Sequence, residues 1–160
     1  MFGSGVGNRL WPWHSGRNRT VVASWSGTYN SGILTYAAPG HPEFVQFKQV
    51  DKDKKVEVFV DNKFFTAFIY PDNMEKQSLN PILSSSGKII TRGYPLQPRP
   101  FERTDHPHHV GMWFNFGDVN GLDFWNNSYA IPKEKKDKYG WIKTDKIIET
   151  KSGAKGSLTY

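Results

Sequence analysis

The chain has no cysteine in its 160 residues, which excludes disulfides and thiolate metal sites. It also lacks any apolar run near the roughly 18 to 20 residues that span a bilayer. The best are short pieces such as Val56–Val60 and Phe64–Tyr70, so no membrane span is expected. Residues Met1–Arg19 show no apolar core of a signal peptide, being rich in Gly, Ser, Asn, Trp and Arg. Positive charge is in excess, at +6, but it is not concentrated. Lysines alternate with acids over Lys48–Lys63 and Lys133–Lys151, leaving no basic stripe for a phosphate backbone to follow, and no nucleic-acid partner is expected.

What the chain does have is aromatic side chains, 15% of the residues, and scattered Gly and Pro. That composition favours short strands joined by tight turns, and the length suits a single domain with a real core. Residues 1–44 are turn-rich and poorly patterned. From Val45 the pattern sharpens into Val45–Val50, a charged turn, Val56–Val60, a turn at Asp61-Asn62, and Phe64–Tyr70. Apolar alternation across short polar turns reads as an antiparallel meander. Lys88–Thr91 reads as a further short strand. Gly93–Pro100 carries three prolines in six residues and reads as a stiff, irregular connection. A strand over His108–Phe116, an Asn120-Gly121 turn and a segment Leu122–Asn127 complete a hairpin. Pro132–Tyr139, charged nearly all round, reads as a solvated helical turn. Gly156–Tyr160 looks like the opening of a strand. The expected fold is therefore all-β, an antiparallel sandwich over residues 45–160, with the chain expected to stop before its domain does.

Chemistry concentrates in Thr104-Asp105-His106-Pro107-His108-His109. Histidine titrates near neutral pH and is the commonest metal ligand, so three in four positions beside an aspartate call for a role. On an extended strand, His108, Val110, Met112, Phe114 and Phe116 would share a core-facing side. His109, Gly111, Trp113 and Asn115 would share the other. An indole beside amide and imidazole suits a sugar, whose C–H face stacks on the ring while its hydroxyls find hydrogen bonds. The acid/base candidates are His106, His108 and His109, oriented by Asp105 or Glu102. The ligand-holding candidates are Arg92, Arg103, Trp113, Asn115, Asp123, Trp125 and Asn127. Plainer readings exist for each: imidazoles capping a turn, tryptophans in a core, Asn126-Asn127 ending a strand. Pro107 and strand alternation should keep the three imidazoles from meeting in one pocket.

The motifs Thr91-Arg92-Gly93-Tyr94-Pro95, Glu102–Phe114 and Gly117–Asn127 resemble the PmoA-like family of bacterial proteins, often labelled methane oxygenase PmoA. The oxygenase subunit of that name is an integral membrane protein, so the label itself does not carry over to a chain without a span. The resemblance implies an exported, periplasmic or extracellular, β-sandwich-like protein of mutarotase-like type, found among bacterial carbohydrate-degradation genes. The expected function is binding or processing of a carbohydrate or other small polar ligand. Two alternatives stand beside it: a mononuclear, oxygenase-like metal site with His106 and His108 as ligands, or a non-catalytic carbohydrate-binding module. No cofactor is specified.

Overall fold

The computed structural model describes residues 44–160 in full and, before them, the backbone of four strands. The expectation for residues 1–44 otherwise lies outside the described residues. The strands are β1 (His14–Ser15), β2 (Arg19–Thr20), β3 (Val22–Thr28), β4 (Ser31–Ala37), β5 (Val45–Val50), β6 (Lys55–Val60), β7 (Lys63–Ile69), β8 (Ser78–Ile82), β9 (Glu149–Lys151) and β10 (Lys155–Thr159). They form a two-stranded sheet, β1-β2, and two four-stranded sheets, β3-β4-β10-β9 and β5-β6-β7-β8. Helix among the described residues is limited to two 3-10 turns, Asp51–Asp53 and Lys133–Lys138. The all-β, antiparallel class is as expected; the sandwich remains an expectation.

The chain divides into two compact units, one of residues 1–47, 60–62 and 145–160, the other of residues 48–59 and 63–144. In the first, β10 is an interior strand, pairing antiparallel with β4 on one side and β9 on the other. Leu158 of β10 and Val45 are wholly buried. Val45 exchanges two backbone hydrogen bonds with Gly153, at 2.8 and 2.9 Å.

The expected meander of β5, β6 and β7 is present. Val56 and Val58 are buried while Lys55 and Glu57 point the other way, the period-2 alternation of a strand with one covered face. Lys55 and Glu57 pair across that outer face at 2.8 Å. The turn into β7 is Asp61-Asn62, both at positive φ, 49° and 61°, the backbone of a two-residue hairpin whose twist matches its strands.

Strand β8 was not legible in the sequence, because Pro81 removes a ladder donor and demotes any strand reading. It forms because β8 is the last strand of its sheet, where that donor is not needed. An extra residue lies between its pairs Phe68↔Leu79 and Thr66↔Ile82, a bulge at the proline.

Three expected strands are absent. Lys88–Thr91 keeps one bridge, Leu83↔Ile89, and one bond from Ile90 N to Ile82 O. Leu122–Asn127 retains only bridges at Leu122 and Asp123. The Asn120-Gly121 turn before it does form, at φ 55° and 82°. His108–Phe116 fails as a strand because Gly111 sits at φ 64°, a left-handed bend that ends the two-residue alternation. The consequence is a corrected core. Val110 is buried, but Met112, Phe114 and Phe116, assigned to the same inward face, are exposed. The charged 3-10 turn Lys133–Lys138 contributes no buried residue, as expected.

Candidate functional site

The second unit gathers the candidate residues around one anchor. Leu79 of β8 and Met112 exchange two backbone hydrogen bonds, at 2.8 and 3.0 Å, and Ser78 Oγ donates to Val110 O. These bonds hold the chain just after the histidines against β8. Before the anchor, His109 N donates to His106 O at 3.0 Å, and His106 has φ 50°. The segment is thus a tight turn rather than an extended strand.

That turn draws the three imidazole rings toward one another, though not into a metal-binding set. The His106 and His109 rings stack at 5.0 Å, His108 meets His109 edge-on at 4.3 Å, and His106 and His108 lie 5.6 Å apart. Pro107 does not part them, because a reversal of the chain brings alternate side chains back to one side. Among the described residues no three His, Cys, Asp or Glu side chains are placed to hold a metal ion.

The cluster continues into two indoles. His109 lies 6.1 Å from Trp113 and 6.3 Å from Trp125, and the two tryptophans pack edge to face at 4.7 Å. Trp125 remains 42% exposed, so the pair is neither wholly core nor wholly surface. Below them is Lys76, which the sequence reading missed. It is 3% exposed; its Nζ donates to Trp125 O at 2.6 Å and lies 4.6 Å from the Trp113 ring. Met74, Lys76 and Ser78 are buried while Glu75 and Gln77 between them are less so, an alternation in the bend before β8 that no residue-type pattern announces. The segment is held from outside by Ile142 N to Glu75 O at 2.9 Å and Lys143 Nζ to Met74 O at 2.7 Å.

Electrostatics follow from this crowding. Burial lowers the Lys76 pKa to about 8 against the opposing pull of Glu75 and Asp123. Burial, then His109, then the Lys76 charge bring His108 down to about 4. Burial, His106, Arg92 and Lys76 lower His109 as well. His108 is therefore a neutral imidazole at pH 7. Because its folded pKa lies below its ordinary 6.5, the unfolded chain binds the extra proton in between, and stability falls as pH drops from about 6.5 to about 4. His108→Gln is expected to flatten that acid limb in urea titrations at pH 7, 5.5 and 4.5. An unchanged limb would show that His108 is not the group responsible.

Other candidates have different employment. Asp105 Oδ2 lies 3.1 Å from His106 Nδ1, the expected orienting contact. Burial pulls the Asp105 pKa upward, but the His106 bond, Arg92 and Arg103 outweigh it and leave the carboxyl below its usual range. Arg92 braces this turn, donating to Asp105 Oδ1 at 3.2 Å and Asp105 O at 2.7 Å, and also to His106 O. Arg103 is an exposed side chain 3.9 Å from Asp105. Glu102 is engaged elsewhere: it accepts from Gly93 N at 2.9 Å and Tyr94 N at 3.2 Å and pairs with Arg99 at 3.2 Å. The Gly93 bond heads the causes that lower its pKa, so this carboxylate ties the proline-rich connection.

The amides are also occupied by backbone. Asn115 Nδ2 donates to Phe124 O at 2.7 Å while its Oδ1 accepts from Phe116 N. Asn127, buried, donates to Gly140 O at 2.8 Å and accepts from Lys136 Nζ at 3.1 Å. Asp123 caps a turn, accepting from Asn126 N at 2.9 Å and Asn126 Nδ2 at 2.7 Å. The residues brought together are thus Lys76, Arg92, Asp105, His106, His108, His109, Trp113 and Trp125. They offer three clustered imidazoles, one of them oriented by a carboxylate, an indole surface and a buried amine.

No helix among the described residues is long and apolar enough to cross a membrane. The model of a family of unknown function (DUF6807) matches residues 55–160, a span that includes every one of these residues. No curated protein and no solved structure matches the chain. The resemblance to PmoA-like proteins is corrected by this result: the matching family has no assigned function, and nothing in the match links it to PmoA.

Proposed function

Because the chain belongs to a family of unknown function (DUF6807), its role is read from the site, and we propose that it binds and acts on a carbohydrate at the His106–His109 cluster. The observation that carries this reading is the meeting of His109 with both indoles, at 6.1 and 6.3 Å, beside the exposed part of Trp125. A sugar has an apolar C–H face and a rim of hydroxyls. An indole takes the first and imidazoles take the second by hydrogen bonding. In this reading His106 is the acid/base group. Asp105 receives its Nδ1–H at 3.1 Å, which leaves Nε2 with the lone pair that accepts a hydroxyl proton.

The test is a pair of truncations in the full chain. His109→Ala and Trp125→Ala are each expected to weaken binding of a panel of short oligosaccharides at least tenfold, a loss of about 1.4 kcal/mol. Thermal midpoints should move by only about 2 to 4 °C, since both side chains keep part of their surface in water. Strong destabilisation with unchanged affinity per folded molecule would make the cluster architecture and end the proposal.

A further inference from the structure

Lys76 is the group that the carbohydrate reading does not use. A lysine ammonium has three donors, and the Lys76 Nζ spends one on Trp125 O at 2.6 Å. Among the described residues no carboxylate lies within ion-pair distance of it, whereas Lys54, Lys55, Lys136 and Lys151 each have one at 3.2 Å or less. Those four lysines retain more exposure than Lys76, which is 3% exposed. Lys76, the most buried lysine among the described residues, is thus held without a carboxylate at ion-pair distance. The Trp113 face at 4.6 Å supplies some compensation, and Glu75 and Asp123 act only from farther off. Glu75 is itself paired to Lys136 at 3.2 Å and Asp123 to Asn126.

A buried charge is stable only when it is paired and hydrogen-bonded. Here Lys76 has the Trp113 ring at 4.6 Å and the Trp125 carbonyl at 2.6 Å, and neither is an anion. Burial first, and then positive neighbours that include Lys76, depress His108 and His109. A neutral sugar laid on this surface would return no charge to Lys76. A sugar with a carboxylate would complete the ion pair.

Resting on the carbohydrate reading, we propose that the ligand is an acidic sugar, a uronate or sugar acid, whose carboxylate is received by Lys76 between Trp113 and the His108–His109 imidazoles. The bond is a charge-assisted hydrogen bond in a low-dielectric setting, where such pairs discriminate strongly between a carboxylate and the hydroxymethyl group that replaces it in the neutral sugar.

The full chain is titrated with galacturonate and galactose, and with glucuronate and glucose, as monomers and short oligomers, with tryptophan fluorescence as the readout. The expected result is at least tenfold tighter binding of the acidic member of one pair. Lys76→Met should remove that preference, and Lys76→Arg should keep much of it. Should Lys76→Met fail to fold, the Lys76→Arg comparison and the wild-type pairs still decide. Equal binding of acidic and neutral sugars overturns this inference and leaves the carbohydrate reading standing. Binding of neither overturns both. Trapping of the sugar on Lys76 by borohydride would show a nucleophilic amine in place of an ion-pairing ammonium and overturn the assignment.

Discussion

Lys76→Met is expected to raise stability at neutral pH, and the gain is expected to fade and reverse as the solution becomes alkaline. The folded-state pKa is lowered from 10.5 to about 8, a difference of about 3 kcal/mol in favour of the neutral amine. Below pH 8 both folded and unfolded chains hold the proton, so the folded state bears the full cost of a buried ammonium. Between pH 8 and 10.5 the unfolded chain keeps a proton that the folded chain has released, so wild-type stability rises with pH; above 10.5 the cost is gone. Methionine has no charge to bury and fills most of the same space. It forfeits the bond to Trp125 O, worth about 1 kcal/mol. The net expectation is a variant more stable by about 1 to 2 kcal/mol at pH 7 and less stable by about 1 kcal/mol above pH 10.5. Urea unfolding of both proteins at pH 7, 9 and 10.5 measures it. Parallel profiles over that range would mean that Lys76 titrates normally and that its burial carries no strain.

Gly111→Ala is expected to cost more than any substitution in the indole–imidazole surface, and to abolish ligand binding as well. At φ 64° a Cβ would lie 2.4 Å from Leu79 O, 2.7 Å from Ser78 Oγ and 2.8 Å from Asn80 Cβ. The left-handed conformation alone disfavours alanine by about 1 to 2 kcal/mol. The clash falls on backbone that cannot swing aside, and relieving it breaks the two Leu79–Met112 hydrogen bonds, about 1 kcal/mol each. A total of about 3 to 5 kcal/mol is expected, against about 1 to 2 for Gly121→Ala, where φ is 82° and nothing lies within 4 Å. Chemical denaturation of the two variants side by side, with the oligosaccharide titration repeated on each, tests this. Equal small losses would show that the chain after the histidines is not anchored through β8.

The two glycines also mark where sequence reading succeeds and stops. Gly121 follows Asn120 in a turn of adjacent residues, and the dipeptide announces it because steric rules act over a few bonds. Gly111 has a positive φ too, but it lies among Val110, Met112 and Trp113, which read equally well as a strand. What bends the chain there is the approach of Leu79, more than thirty residues earlier in the chain. The site shows the same division. Three histidines beside Asp105 were conspicuous, and the Asp105–His106 contact at 3.1 Å is between adjacent residues. Glu102 looked like a partner for them by proximity in the chain, yet Gly93 and Tyr94 hold it through a loop closure that no local pattern encodes.

The all-β class, the meander of β5 to β7, the Asp61-Asn62 and Asn120-Gly121 turns and the charged 3-10 turn were legible in the amino-acid order. Each follows from alternation, turn sterics or composition, which involve neighbours along the chain. That β8 forms despite Pro81, that His108–Phe116 bends away from a strand, that the imidazoles and two indoles come together and that Lys76 is buried beside them emerged with the folded chain. Those outcomes depend on pairs distant in sequence, such as Lys76 and Trp125, 49 residues apart. Such pairs are set by which backbone groups and apolar faces find each other on closure of the chain, a free-energy balance that local propensity does not contain.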